Sequence, residues 1–214
     1  MAQLIADLQD VAFALYDQMK VEGLLTHGRY RDLNRKTMDL ILKEARNFGI
    51  KEVLPTRSEG EVQGLRFEGG EVHVPECYRR VHGLLLDMDL TSPTEDPAVG
   101  GQGLPHLFAR AASEYFVGAN WSLVTYPFTG HGTGKMIELY GNEDQKKLFL
   151  EKLYTGTWGG TMVLTEPEAG SDLGAIKSTA VDNGDGTYSI KGDKIFITNG
   201  EHDLSENIIH PVLA

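Results

Sequence analysis

The sequence predicts an α+β fold: an N-terminal all-α helical bundle over residues 1–157, then an incomplete antiparallel β domain over residues 158–214. Three observations carry this. Apolar residues recur at helical spacing up to about Gly156. Beyond it the period drops to two and turn residues multiply. The last strand-like run, "NIIHPVLA", stops with the chain. At 214 residues with 41% apolar composition, such a chain can bury a sizeable core.

The elements come in order. Leu4, Leu8, Val11, Leu15 and Met19 form the apolar stripe of a first helix, and Thr37, Ile41, Ala45 and Phe48 that of a second. Pro75 suits the first turn of a third helix, with Cys77, Val81, Leu84, Leu85 and Met88 inward. Pro105 opens a fourth that runs to about Ala119, with Gly118 as its interruption. "GNEDQKKLFLEKLYTG" carries its own boundaries: Asn142 as N-cap, Gln145 three residues on, Leu148, Phe149 and Leu153 as the buried stripe, and Gly156 beyond the end. "TWGGTMVL" then reads as a strand, "NGDGTYSIKGDKIFITNG" as two strands around tight turns, and "NIIHPVLA" as the last. Glycine, at 25 of 214 residues, exceeds the usual ~7% and gathers in the expected loops "VGGQGLP" and "TGHGTG", where backbone can come close to a neighbour.

Charge and composition remove several function classes. A net charge of −11 argues against a nucleic-acid groove and against an anionic membrane surface. No apolar run approaches the ~18 residues of a membrane span, and "MAQLIADLQD" lacks a basic leader, so a cytoplasmic protein is expected. The single cysteine, Cys77, allows no internal disulfide and no paired-thiol site, and reads as a small apolar helix residue. The seven histidines show no metal-binding spacing, so no metal is expected.

Two stretches ask for chemistry. In "TMVLTEPEAGSDLG", Thr165 offers a hydroxyl, Pro167 fixes a bend, and Ala169, Gly170 and Ser171 present unhindered amides that suit a phosphate or a heterocycle edge. A plain strand-to-loop crossover explains the same residues equally well. Glu166, Glu168 and Asp172 are expected to cap a helix or face solvent rather than form an acid–base cluster. In "KIFITNG", strand alternation puts Phe196 and Thr198 on one face, an aromatic plane beside a hydroxyl, which packing across strands would also produce.

"LTEPEAGSD" followed by "IKGDKIFITNG" closely resembles the flavin-binding signatures of the acyl-CoA dehydrogenase family. The resemblance extends back through "DPAVGGQGLP" and "YGNEDQKKLFLEKLYTGTWGGTMVLTEP", so nearly the whole chain is covered. The first 80 or so residues and the tail "GEHDLSENIIHPVLA" resemble a longer-chain branch that includes 3-methylthiopropanoyl-CoA dehydrogenases.

The resemblance implies an FAD enzyme of fatty-acid metabolism that removes two hydrogens from Cα and Cβ of an acyl-CoA, giving the trans-2-enoyl-CoA. It implies cofactor contacts from the strand Met162, Val163, Leu164 and Thr165, from the loop Glu166, Pro167, Glu168, Ala169, Gly170 and Ser171, and from Phe196, Ile197 and Thr198. Within that set Thr165 would bond the pyrimidine edge, Ala169–Ser171 would serve the FAD phosphates, and Ser171 would also touch the CoA of the substrate. Asp172 would shape the loop. Phe196 stands where the family commonly has Trp, against the isoalloxazine, and Thr198 would donate toward the reactive flavin nitrogen. A Phe there keeps the stacking plane and loses the indole N–H.

The family's catalytic Glu sits on a C-terminal helical domain, so the resemblance implies a base beyond Ala214, a longer protein, and an inactive piece if this stretch stands alone. It also implies an electron-transfer flavoprotein or similar acceptor, and a homodimer or homotetramer when intact. A flavin- or CoA-binding remnant without catalysis, an acyl-CoA oxidase or flavin monooxygenase on the same fold, and a non-enzymatic helical scaffold are the alternatives.

Overall fold

The computed structural model of the chain describes residues 5–88 and 90–214. Its fold is α+β: among the described residues, six α-helices with short π and 3-10 turns are followed by short strands and the connections between them, with one small hairpin among the helices. Leu4, expected on the first stripe, lies outside the described residues.

Helix α1 (Leu8–Ala12) is capped by the Asp7 carboxylate on the Gln9 amide and passes into a π turn over Phe13–Gln18. That wider turn rotates the next residues off the α stripe. Val11 and Leu15 are buried as expected, whereas Met19 ends 57% exposed. Helix α2 (Arg35–Phe48) starts at Asn34, whose side chain accepts from the Thr37 amide. It buries Met38, Leu42, Ala45 and Phe48, one position round from the expected Thr37 and Ile41, which are half-buried. Met38 removes more apolar surface from water than Thr37, and the stripe turns to centre on it.

Helix α3 (Pro55–Gln63) and the hairpin β1 (Arg66–Glu68) to β2 (Glu71–His73) were not expected from the sequence. Gly69 and Gly70 both take positive φ in the hairpin turn, which glycine alone adopts without strain. Helix α4 (Glu76–Asp87) begins after Pro75 as expected. It buries Tyr78, Val81, His82 and Leu85, while Met88 is the exposed C-cap and Cys77 is only half-buried.

The fourth expected helix does not stop near Ala119. Helix α5 (His106–Tyr140) continues through a kink at Asn120, where the backbone is non-helical and extended (φ −157°, ψ 93°). Asn120 is buried; its amide donates to Thr56 Oγ1 at 2.9 Å, and its carbonyl oxygen accepts from the Leu123 amide at 3.3 Å. One side chain therefore recaps the second half of α5 and ties it to α3. "TGHGTG" lies inside this second half and is not a loop.

The glycines serve approach between elements. A Cβ on Gly130 would sit 3.2 Å from Trp158 O, and one on Gly160 would sit 2.4 Å from Thr133 Oγ1. Helix and strand thus lie backbone to backbone, joined by Thr133 Oγ1 donating to Thr161 O at 2.9 Å. Helix α6 (Glu143–Tyr154) has the full capping box, with Asn142 and Gln145 exchanging bonds. Its inward residues are Leu150, Leu153 and Tyr154; the expected Leu148 is 55% exposed and Phe149 is half-buried.

After α6, β3 (Gly159–Gly160) pairs with β6 (Ile208–Ile209) in parallel, not antiparallel, and the bridge Val163 to Val212 extends the pair. The chain between them runs out and back as a crossover, which parallel pairing requires. Within it, β4 (Thr179–Asp182) and β5 (Tyr188–Lys191) form an antiparallel hairpin around "NGDG"; β5 is the first of the two expected strands, whereas its partner β4 was not expected. Residues 192–198 form no strand; Phe196 has φ +60° and Asn199 +56°.

Candidate functional site

The second half of α5 and the loop 196–200 face each other across an open cleft of about 660 Å³. Trp121, Ser122, Thr125, Phe128 and Thr129 form the helical wall, and Met162, Phe196 and Thr198 the opposite one. Sequence spacing explains the first wall: positions 121, 125, 128 and 129 share a helix face. Asn199 fixes the second. Its side-chain amide donates to Thr125 O at 3.1 Å and to Thr129 Oγ1 at 3.0 Å, which holds the loop on the helix.

Phe196 and Thr198 therefore meet in one cleft, although not as neighbours on a strand. A left-handed Phe 84% exposed is an unfavourable arrangement twice over, in backbone strain and in unburied ring. Such residues concentrate where a ligand completes the packing. Trp121, 56% exposed, presents a second aromatic surface to the same space.

The loop Thr165–Ser171 is held from below. Thr165 O accepts from the Ile195 amide at 3.0 Å, which joins the two flavin-type stretches. Glu166 and Ala169 bridge each other across a tight turn. Contrary to the expectation of a solvated or helix-capping side chain, Glu166 is 6% exposed and structural. Its carboxylate accepts from the Lys177 amide at 2.7 Å, the Ser178 amide at 3.0 Å and Lys194 Nζ at 2.9 Å. Lys194 also donates to Leu164 O and Leu213 O, so one buried ammonium gathers three segments. A buried carboxylate is tolerated only when so satisfied.

Glu168 and Asp172 do meet the expectation. Glu168 is exposed and pairs with Lys177 Nζ, and Asp172 caps the turn Leu173–Ala175 by accepting from the Gly174 amide. Pro167, Gly170 and Ser171 are exposed, Val163 and Ala169 are buried, and Leu164, Thr165 and Ile197 lie between. The structure thus brings Met162, Phe196 and Thr198 to the cleft and arranges the other expected site residues as the scaffold and rim beside it. The anchor Asn199 and the helical wall were missed in the sequence. The helix breaker Pro127 lies within the same half of α5 and is the one local signal there.

Comparisons with known proteins decide the class. The N-terminal domain of acyl-CoA dehydrogenases matches residues 36–157, and the middle domain matches residues 161–208. The chain belongs to the acyl-CoA dehydrogenase family. It is 41% identical over 212 residues to a 3-methylmercaptopropionyl-CoA dehydrogenase of Ruegeria pomeroyi, covering 98% of this chain and 36% of that protein. Butyryl-CoA dehydrogenase from Megasphaera elsdenii superposes with a TM-score of 0.64 at 30% identity, over 83% of this chain and 44% of that one. An acyl-CoA dehydrogenase from Bacillus anthracis complexed with FAD superposes with a TM-score of 0.63 at 30% identity, over 79% of this chain and 27% of that one. The chain spans about a third of the length of the curated relatives it matches, 36% in the first case.

The Bacillus anthracis neighbour is complexed with FAD, and the residues of this cleft fit such a group. A flat, partly polar ring system needs an aromatic or apolar wall and fixed donors at its edge. Phe196 and Trp121 supply the wall, and Thr198, Thr125 and Ser122 place hydroxyls around the cleft. At Gly170 a Cβ would meet nothing within 4 Å, which leaves the loop amide approachable. Among the described residues no helix is long and apolar enough to cross a membrane, and no cluster of metal-binding side chains forms.

Proposed function

We propose that the full-length protein catalyses FAD-dependent α,β-dehydrogenation of an acyl-CoA thioester to the trans-2-enoyl-CoA. The observation that carries this is the cleft in which Asn199 sets Phe196 and Thr198 against the Thr125–Thr129 face of α5. FAD, when bound, accepts the hydride from the substrate Cβ. Phe196 holds the ring plane, Thr198 donates to its edge, and Thr165 bonds its pyrimidine side. The Ala169–Ser171 amides serve the phosphates, with Ser171 reaching the CoA portion. The helical wall excludes water from the reacting carbons on the substrate side.

The α-proton must leave to a positioned carboxylate, and none lines this cleft among the described residues. The reading therefore takes the base from sequence outside residues 1–214. It treats residues 1–157 as the helical unit and 158–214 as the start of the flavin-binding unit. It further takes a short or medium acyl group as substrate, in keeping with the names of the similar proteins, and an electron-transfer flavoprotein as acceptor. A cytoplasmic homodimer or homotetramer in fatty-acid metabolism completes the proposal.

The test is an anaerobic titration of the flavin-loaded, full-length protein with a panel of acyl-CoAs. Bleaching of the flavin band with release of enoyl-CoA is expected; flavin that no acyl-CoA bleaches would leave only a binding role. Peroxide formed stoichiometrically in air would instead assign an oxidase.

A further inference from the structure

The hairpin β1–β2 is set into the fold by its polar side. Its register pairs Phe67 with Val72 and Arg66 with His73, so the first pair shares one face and the second the other. The His73 face is engaged: His73 Nδ1 lies 2.9 Å from Asp203 Oδ2, and the Val74 amide donates to Asp203 Oδ1 at 3.1 Å. Phe67 is left 74% exposed on the opposite side. Two more large apolar side chains stand just before it in sequence, Leu65 at 63% exposed and Val62, on the last turn of α3, at 88%. A half-buried hairpin ordinarily turns its apolar face to the core and its polar face to water. This one does the reverse.

Acidic charge rims the exposed surface. Glu68 and Glu71 are direct cross-strand partners, an unfavourable like-charge pair. Arg66 Nη1 pairs with Glu68 at 3.4 Å. Glu71, and Glu61 next to Val62, are exposed and make no ion pair among the described residues. A basic side chain brought to this rim would meet unpaired carboxylates.

Size and length choose the occupant. Three such side chains offer a few hundred Å² of apolar surface, well short of the roughly 800 Å² per partner in a stable dimer. A second copy held by this surface alone would not stay. A segment of the same polypeptide needs far less contact, because tethering gives it a high effective concentration. The relatives have sequence to supply one: the matched stretch is 36% of the Ruegeria pomeroyi protein, and the domains it matches are the N-terminal and the middle one.

We propose that the Val62–Phe67 surface is an intramolecular docking site, covered in the full-length protein by a segment beyond residue 214 that presents apolar side chains flanked by Lys or Arg. Burying Phe67, Leu65 and Val62 drives the docking, and the acidic rim sets its register.

The experiment uses the full-length protein with the photo-crosslinking residue p-benzoylphenylalanine in place of Phe67. Irradiation is expected to give an adduct within one polypeptide, and peptide mass mapping to place its far end beyond residue 214, on an apolar stretch next to Lys or Arg. In the unaltered protein, hydroxyl-radical footprinting should show Phe67 and Leu65 oxidised far more slowly in the folded state than in urea, with the protection unchanged on dilution. An adduct joining two chains would assign the surface to a second copy and overturn the proposal. So would an adduct confined to residues 1–214, or Phe67 oxidised as fast in the folded protein as in urea. Where no adduct forms, footprinting decides alone: protection that survives dilution upholds the intramolecular cover, and protection lost on dilution removes it. Glu71→Lys reverses one charge on the rim and is expected to weaken the protection; protection left intact would strike the basic flank from the proposal. None of these readouts needs turnover, so the outcome stands apart from the dehydrogenase reading.

Discussion

At Phe196 the backbone is left-handed and the ring stands in solvent, held there by Asn199 three residues later. The motif in the sequence made Phe196 and Thr198 legible as an aromatic plane and a hydroxyl, but through strand alternation that the chain does not adopt. Asn199 was illegible for a physical reason: its partners, Thr125 O and Thr129 Oγ1, lie seventy or more residues away on a helix that read as ending at Ala119. A hydrogen bond from Thr198 to the cofactor is worth about 0.5–1.5 kcal/mol net. Thr198→Val is therefore expected to keep its flavin while the reduction potential shifts and the rate of flavin reduction by substrate falls. Spectroelectrochemistry and stopped-flow absorbance check this; an unchanged potential and rate would remove Thr198 from the site. Gly170 gives a sharper outcome at the same scale. Nothing occupies the space its Cβ would take, so Gly170→Val is expected to fold normally and yet purify largely without flavin. Full flavin content would show that the cofactor does not approach this loop.

Helix α5 shows why an element can be misread while its neighbours are read well. The box around α6 is local chemistry, spelled out by Asn142 and Gln145, and it forms as written. The stretch Thr129–Gly134 is rich in a helix-breaking residue, and propensity alone assigns it to a loop. Packing against β3 and α6 reverses that assignment, and packing partners cannot be read from the stretch itself. Two of its glycines separate the effects cleanly. Gly132 is exposed, and a Cβ there would meet nothing within 4 Å. Gly132→Ala should then stabilise the protein by roughly 0.5–1 kcal/mol through helix propensity and the unfolded chain. Gly134 is buried, and its Cβ would come 2.7 Å from Cε1 and 3.0 Å from Cδ1 of Tyr154, a ring that is itself fully buried and bonded to Glu138. Overpacking by Gly134→Ala should destabilise by roughly 1–3 kcal/mol despite the same gain in propensity. Urea unfolding of the two variants, read as midpoints at unchanged slope, is the check. Two shifts of the same sign would mean that these glycines are not distinguished by what they pack against.

For the whole molecule, the helical part and the chain after β5 are joined through a polar seam that no local pattern announced. Asp203 accepts from the Val74 amide at 3.1 Å, lies 2.9 Å from His73 Nδ1 and pairs with the Arg79 guanidinium, so it clamps β2 and α4 to the segment before β6. Beside it His202 is 4% exposed, with its ring edge-on to Tyr126 at 4.8 Å between centroids, and its Nδ1 accepts from the Leu204 amide. His82, on α4, is equally buried. The sequence showed these histidines only as residues without metal spacing; their burial is a property of the assembled seam. Desolvation pushes both imidazoles from 6.5 to about 4, with the like charge of His202 adding to the effect at His82. Asp203 behaves oppositely: burial would raise it, but the Val74 amide, His73 and Arg79 hold it down to about 2. Linkage then sets the signs. Between pH 6.5 and 4 the unfolded chain binds protons at both histidines that the folded chain does not, so stability is complete above about pH 6.5 and falls as the pH drops through this window. Each histidine contributes on the order of 3 kcal/mol, less than twice that together because the two charges interact. Below about pH 4 the Asp203 contribution is lost in turn, as the pH approaches its folded value near 2. Urea unfolding tracked by Trp fluorescence across pH 4–8 should therefore show a free energy that is level above about pH 7 and slopes downward below 6.5. His202→Gln, which cannot titrate, should shed one proton from that slope. A free energy level from about pH 8 to 4.5 would mean that the two imidazoles are not held neutral in the fold, and that the seam is open enough to water to charge them.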